Sequence, residues 1–139
     1  MFVVDTNVVS EAMKTSPCTA VIDWLNMQET STLFLCSITI GEICYGLGIL
    51  PMGKRRSALQ KSFNKLIRHA FEQRILVFDE DAARLYGEIM SERRQIGRPM
   101  AMADGQIAAI ARRNGFAIAT RNVPDFDDCG VAVINPFVL

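Results

Sequence analysis

Three carboxylates stand alone in otherwise uncharged stretches of the chain. Asp5 is the one charged residue of MFVVDTNVVS. Glu42 is the one charge in TSTLFLCSITIGEICYGLGILPMG, between Glu29 and Lys54. Asp104 is the one charge in PMAMADGQIAAIA, between Arg98 and Arg112. A carboxylate in apolar surroundings is costly, and it either takes up a proton or finds a cation. No lysine or arginine lies close in sequence to any of the three. Brought together, they would repel one another unless something positive sat among them. Hard oxygen donors without histidine or cysteine suit Mg²⁺ or Mn²⁺. A fourth segment, TRNVPDFDD (120–128), adds Asn122 and Asp125 as residues placed to face such an ion. Asp127 and Asp128 read equally well as a surface turn.

Each acid also has an ordinary structural use. Asp5 could cap the first helix, and Asp104 could sit in the first turn of its own, where the helix dipole favours negative charge. Glu42 is harder to explain in this way. With Ser37 as N-cap, a capping-box glutamate would fall at position 40, which is isoleucine. Its helical neighbours Ile38, Thr39, Tyr45 and Gly46 are mostly apolar or small, unusual company for an exposed glutamate.

The elements that must position these residues follow from the apolar pattern. FVVD (2–5), LFLC (33–36), ILVF (75–78), FAIAT (116–120) and VAVIN (131–135) read as strands. Helices are expected from Thr6 or Asn7, as cap, through about Met13, then over 19–28, 37–50, 54–72, 80–96 and about 103–113. Asp79 is the expected cap of the fifth, and Asn114-Gly115 ends the sixth. Strands that are continuous apolar runs separated by helices indicate a parallel sheet covered on both faces. In such a sheet Asp5 ends a strand, while Glu42 and Asp104 lie near helix starts, so all three gather at the carboxyl edge. Thr120 and Asn122 lie just past a strand end on the same side.

Composition limits the alternatives. Half of the 139 residues are hydrophobic and 22% are charged, which fits a globular domain with a core and not a disordered chain. No apolar run reaches the roughly 18 residues that span a bilayer, and no signal-peptide pattern opens the chain, so a cytoplasmic protein is expected. Four cysteines without a CxxC pair and a single histidine, His69, argue against a structural zinc site. The thiols read as small buried hydrophobes. Net charge is zero, but seven cations and one acid fall between Lys54 and Arg74. A neutral protein can therefore carry a positive face that attracts phosphates, although solvated helix faces explain the same pattern. Arg93, Arg94 and Arg121 are further candidates to steer a nucleic-acid backbone.

DTN after the first strand, GEICYG, MADGQIAA and ATRNVPDF, in this order, resemble the PIN-domain ribonucleases. More narrowly they resemble the VapC-like toxins of type II toxin–antitoxin pairs, including those known as plasmid stability or trafficking proteins. The likeness covers essentially the whole chain, so 1–139 is expected to form one PIN domain, a three-layer α/β/α sandwich around a mainly parallel sheet of about five strands. It implies that Asp5, Glu42 and Asp104 bind the metal. The family's next position, an acid or asparagine after the Thr-Arg pair, is Asn122 here, with Asp125 nearby for the remaining acidic function. It also implies Mg²⁺- or Mn²⁺-dependent hydrolysis of RNA by metal-activated water, a homodimer, inhibition by a cognate antitoxin, and contact with operator DNA only through that antitoxin. Helix 54–72 is a candidate interface. Two other readings compete. One is a non-catalytic PIN-like module in a DNA-binding regulatory complex, which would have lost the acids. The other is an aspartyl phosphohydrolase with Asp5 as nucleophile, which would need aspartate where Asn7 stands.

Overall fold

Short β-branched and aliphatic runs form the sheet, the three central ones largely buried and the two edge pairs partly so. The computed structural model describes residues 1–72 and 74–139. Strands β1 (Phe2–Val4), β2 (Leu33–Cys36), β3 (Ile75–Leu76), β4 (Ala117–Ala119) and β5 (Val133–Ile134) lie in the order β3-β2-β1-β4-β5. Every pairing among the described residues is parallel. The strands are shorter than the apolar runs that encode them. Val77 and Phe78 continue past β3, and Phe116 precedes β4, without joining the described pairings.

Among the described residues six α-helices cover the sheet: α1 (Thr6–Ala12), α2 (Thr19–Met27), α3 (Ser37–Gly48), α4 (Lys54–Leu66), α5 (Glu80–Gln95) and α6 (Met102–Asn114). The core divides into two layers by strand parity, since successive side chains point to opposite faces. Val3, Cys36 and Ile118 pack with Ile89, Ile107 and Ile110 of α5 and α6. Val4, Leu33, Leu35 and Ala119 pack with Val8, Val9, Val21, Trp24 and Phe63 of α1, α2 and α4. Helix α3 sends Ile38 toward the first layer and Ile43 and Leu47 into the second. It therefore spans both layers, and this places Glu42 at the carboxyl edge.

Local chemistry departs from the sequence expectations at three helix boundaries. At α1 the N-cap is Asp5, the other candidate the sequence offered, and not Thr6 or Asn7: its carboxylate accepts the Thr6 amide at 2.8 Å. Cys36, not Ser37, is the N-cap of α3 and gives it no side-chain cap. The expected helix 54–72 is α-helical only to Leu66. A π-helical turn, Ile67–Phe71, follows and ends at Glu72 in the left-handed region, φ 45°. Asp79 caps α5 as expected, accepting the Ala82 amide at 2.8 Å. Two short 3-10 turns, Thr30–Thr32 and Val123–Phe126, were outside the expected elements.

Close packing of α5 on α6 rests on Gly105, the residue after Asp104. A Cβ there would stand 2.5 Å from the Met90 Sδ and 3.0 Å from the Tyr86 Cε2. Gly105→Val is expected to destabilise the fold by about 2 kcal/mol, the ordinary cost of overpacking a core. Urea denaturation measures it. A midpoint equal to that of the unmodified chain would show that α6 shifts freely, and Asp104 with it.

Candidate active site at the carboxyl edge of the sheet

Order 3-2-1-4-5 places a topological switch point between β1 and β4, where connections leave to opposite sides and open a crevice. Asp5 and Thr120 stand at that point. Register pairs Val3 with Ile118, so two residues further each strand presents Asp5 and Thr120 toward the α6 layer. The backbone fixes the pair as well. The Asp5 amide donates to the Ala119 carbonyl at 2.9 Å and the Thr120 amide to that of Ile134 at 2.9 Å.

Thr120 is fully buried, and its hydroxyl has no freedom left. It accepts from the Asn7 Nδ2 at 3.1 Å and from the Asn122 amide at 3.0 Å. Its single proton therefore goes to the Asp5 Oδ2 at 2.8 Å. Asn7 Nδ2 also reaches Asp5 Oδ2 at 3.1 Å, while Asn7 Oδ1 accepts the Arg121 amide at 3.0 Å. Thus Asp5, 4% exposed, is held by three donors from two segments. Burial pushes its carboxyl above the usual aspartate range. Hydrogen bonds from Thr120, Thr6 and Asn7 oppose the rise, and the charge of Glu42 adds to it.

Glu42 reaches this cluster from α3 through Thr6, whose Oγ1 donates to Glu42 Oε1 at 2.7 Å. Thr6 Oγ1 also lies 3.3 Å from the hydroxyl of buried Thr39. The sequence pattern suggested that Glu42 was turned from solvent, but the residue is exposed. Of its helical neighbours Thr39 is buried and Ile38 partly so, but Tyr45 is 71% exposed. Asp104 sits half-buried at the third position of α6, in the first turn. It is pushed up to about 6 by burial and then by the negative charges of Asp5, Asp125 and Glu42, with Arg93 pulling the other way.

The charges of Asp5, Asp125 and Glu42 all act on Asp104, and that of Glu42 acts on Asp5. Among the described residues none of them has a salt-bridge partner. Asn122 contributes its backbone amide to Thr120 and has an exposed side chain. Asn7 was read in the sequence as a cap and as the residue that breaks an aspartate pair, although it orients both Asp5 and Thr120. A polar DTN triplet ending an apolar strand was the available signal.

Arg93 departs from expectation. Proposed for the nucleic-acid surface, it is 4% exposed and bonds backbone carbonyls inside the protein. Arg121 stacks its guanidinium 3.9 Å from the Phe137 ring centre and lies 3.4 Å from the buried Glu11. Lys14 and the Cys18 amide also bond Glu11, and with Arg121 they hold its carboxyl below the usual range, Lys14 contributing most. The cysteines are all free; Cys36 and Cys129 are buried as expected, but Cys44 is exposed.

The donor set fits a hard divalent cation. All candidate ligands are oxygens, and their mutual repulsion marks a place where positive charge stabilises the ensemble. Among the described residues, no three acids, histidines or cysteines close into a ready-made cage. A separate cavity of about 350 Å³, lined by Val9, Ile22, Leu25, Leu66 and Phe71 among others, is apolar and contains none of the four acids.

Known proteins share this arrangement's framework. The PIN domain profile matches residues 2–128. VapC ribonuclease Y4jK of Sinorhizobium fredii is 41% identical over 99% of this chain and 98% of its own length. Toxin FitB of Neisseria gonorrhoeae is 36% identical over 99% of both. The solved structure of FitAB bound to an IR36 DNA fragment superposes with a TM-score of 0.92 at 37% identity, covering 100% of this chain and 97% of that one. A domain match that extends from β1 past Asp125, together with full-length likeness to a VapC ribonuclease, establishes that this chain belongs to the PIN-domain family, among its VapC-like toxins.

Proposed function

We propose that the chain is a divalent-metal-dependent endoribonuclease, the toxin of a toxin–antitoxin pair, which hydrolyses RNA phosphodiester bonds. The observation that carries this reading is the set of four acids without a salt-bridge partner among the described residues at the switch point, where burial first and the charges of Asp5, Asp125 and Glu42 second raise Asp104 to about 6. Asp5 and Asp104 are the residues to hold Mg²⁺ or Mn²⁺, with Glu42 and Asp125 on either side. A bound ion of this kind polarises a phosphoryl oxygen and makes water nucleophilic at neutral pH.

The chain's own residues do the rest. Thr120 and Asn7 fix the carboxylate plane of Asp5, so that its orientation does not change when substrate arrives. Thr6 ties one oxygen of Glu42. The other, Oε2, has no described hydrogen bond, which leaves it to take the proton of the attacking water. Asn7 orients these groups and has no acidic proton, which disfavours the aspartyl phosphohydrolase reading. Exposed Lys54, Arg55, Lys61, Lys65 and Arg68 of α4 and the π turn have no ion pair among the described residues and suit phosphate attraction. RNA as substrate is supported by the name of the VapC ribonuclease relative, and a cognate antitoxin that inhibits the chain and links it to operator DNA by the toxin relative and the FitAB–DNA complex. A homodimer belongs to the same reading.

The test is cleavage of total RNA by purified protein with Mg²⁺ or Mn²⁺ and with EDTA, together with calorimetric titration of Mn²⁺. Metal-dependent RNA cleavage is expected, with Mn²⁺ bound. Absence of both would favour a non-catalytic PIN module, and mapping of RNA ends after expression would identify the target.

A further inference from the structure

Arg93, near the end of α5, is the one buried basic side chain among the described residues. Its Nε donates to the Arg98 carbonyl at 2.7 Å. Its Nη1 donates to the carbonyls of Asp127 at 2.7 Å and Asp125 at 3.1 Å, and lies 3.7 Å from the Cys129 Sγ. No carboxylate forms a salt bridge with it among the described residues. A buried guanidinium without a paired carboxylate is costly. What it gains is a rigid fork of donors that joins three separate backbone points. Two of those points lie in and just after the Val123–Phe126 turn, which carries Asp125. The positive charge is also near enough to Asp104 to act on it. The exposed side of the same turn is held differently, by Arg98 to Asp128 at 3.1 Å and to the Pro124 carbonyl at 3.2 Å.

We propose that Arg93 is a positioning residue of the active site: from inside the protein it fixes the 123–127 backbone, and so keeps Asp125 against Asp104. This rests on the reading of Asp125 as one of the site's acids. The tying of α5 to that turn makes α5 part of the site's support, although none of the four acids comes from α5.

Arg93→Lys keeps the charge but loses the planar fork. Arg93→Gln keeps two N–H donors and loses the charge, and it serves if the lysine variant does not fold. Hydrogen exchange of a peptide covering 122–129 is expected to quicken by about tenfold or more in either folded variant, the loss expected for a charged hydrogen bond, with exchange in β1 unchanged. Mn²⁺ affinity measured well below the unfolding temperature is expected to weaken by about tenfold, and kcat for RNA to fall more than KM rises. Arg84→Ala, which removes only an exposed ion pair with Glu80 on the same helix, is expected to keep both the exchange over 122–129 and the Mn²⁺ affinity. Unchanged exchange over 122–129, or unchanged Mn²⁺ affinity in a folded variant, would overturn the proposal. If the unmodified chain binds no Mn²⁺, the metal reading fails instead, and the exchange measurement still decides what Arg93 does.

Discussion

Asp104→Asn is expected to lower metal-dependent RNA cleavage by about a thousandfold while raising the unfolding temperature of the cation-free protein at neutral pH. The two changes have one origin. Asp104 is half-buried among Asp5, Asp125 and Glu42, and its negative charge is unfavourable there until a cation arrives. A metal-held transition state gains several kcal/mol of charge stabilisation, and each 1.36 kcal/mol is a factor of about ten in rate. Removing one ligand charge forfeits most of that. In the folded protein without cation, the same removal relieves repulsion. A rise from 3.8 to about 6 would correspond to about 3 kcal/mol if fully buried. Solvent screening of a half-buried group reduces this to about 1 kcal/mol.

Asp5 provides the contrast. Asp5→Ala removes a ligand and also the N-cap of α1 with the Thr120 bond, so it is expected to lose cleavage and about 1 kcal/mol of stability together. Cleavage rates and thermal denaturation of both variants check the pair. An Asp104→Asn protein that cleaves RNA at the unmodified rate would remove Asp104 from the machinery.

How much of this was legible in the sequence depends on how local the cause is. The strands, their parallel sense and the placing of Asp5 at a strand end and of Glu42 and Asp104 near helix starts follow from apolar runs and helix starts, which are local patterns. The strand order is not local. The Asp79 cap is local for the same reason. Arg93 was illegible because its partners are carbonyls 32 and 34 residues away, and a carbonyl has no residue type to signal it. Glu42 was misread because its helical neighbour Tyr45 is exposed with it. Their exposure depends on where the faces of α3 fall relative to its neighbours, which a hydropathy pattern does not reveal. The break of helix 54–72 after Leu66 left no trace either, since IRHAF is unremarkable as helical sequence.

Cation-free protein is expected to be more stable near pH 5 than at pH 7.5, the reverse of what acid-paired carboxylates produce. Asp104 and Asp5 both have folded-state pKa values above the ordinary aspartate value of 3.8, Asp104 at about 6. Between about pH 4 and pH 6 the folded state thus binds more protons than the unfolded chain, and stability falls as pH rises through that window. Glu11 acts in the opposite sense. Its folded pKa is depressed below 4.5 by Lys14, the Cys18 amide and Arg121, so its contribution is lost only as pH drops further. The two effects together place the optimum on the acid side of neutrality. Mn²⁺ at 100 times its dissociation constant should add about 2.7 kcal/mol at pH 7.5. At pH 5 the gain is smaller, because protons compete for the same oxygens. Thermal denaturation at both pH values, with EDTA and with Mn²⁺, reads all of this. Asp104→Asn should flatten the pH dependence and most of the Mn²⁺ response. A cation-free protein whose unfolding temperature is the same at pH 5 and 7.5, in both forms, would mean that the four acids do not share the field on which the metal site depends.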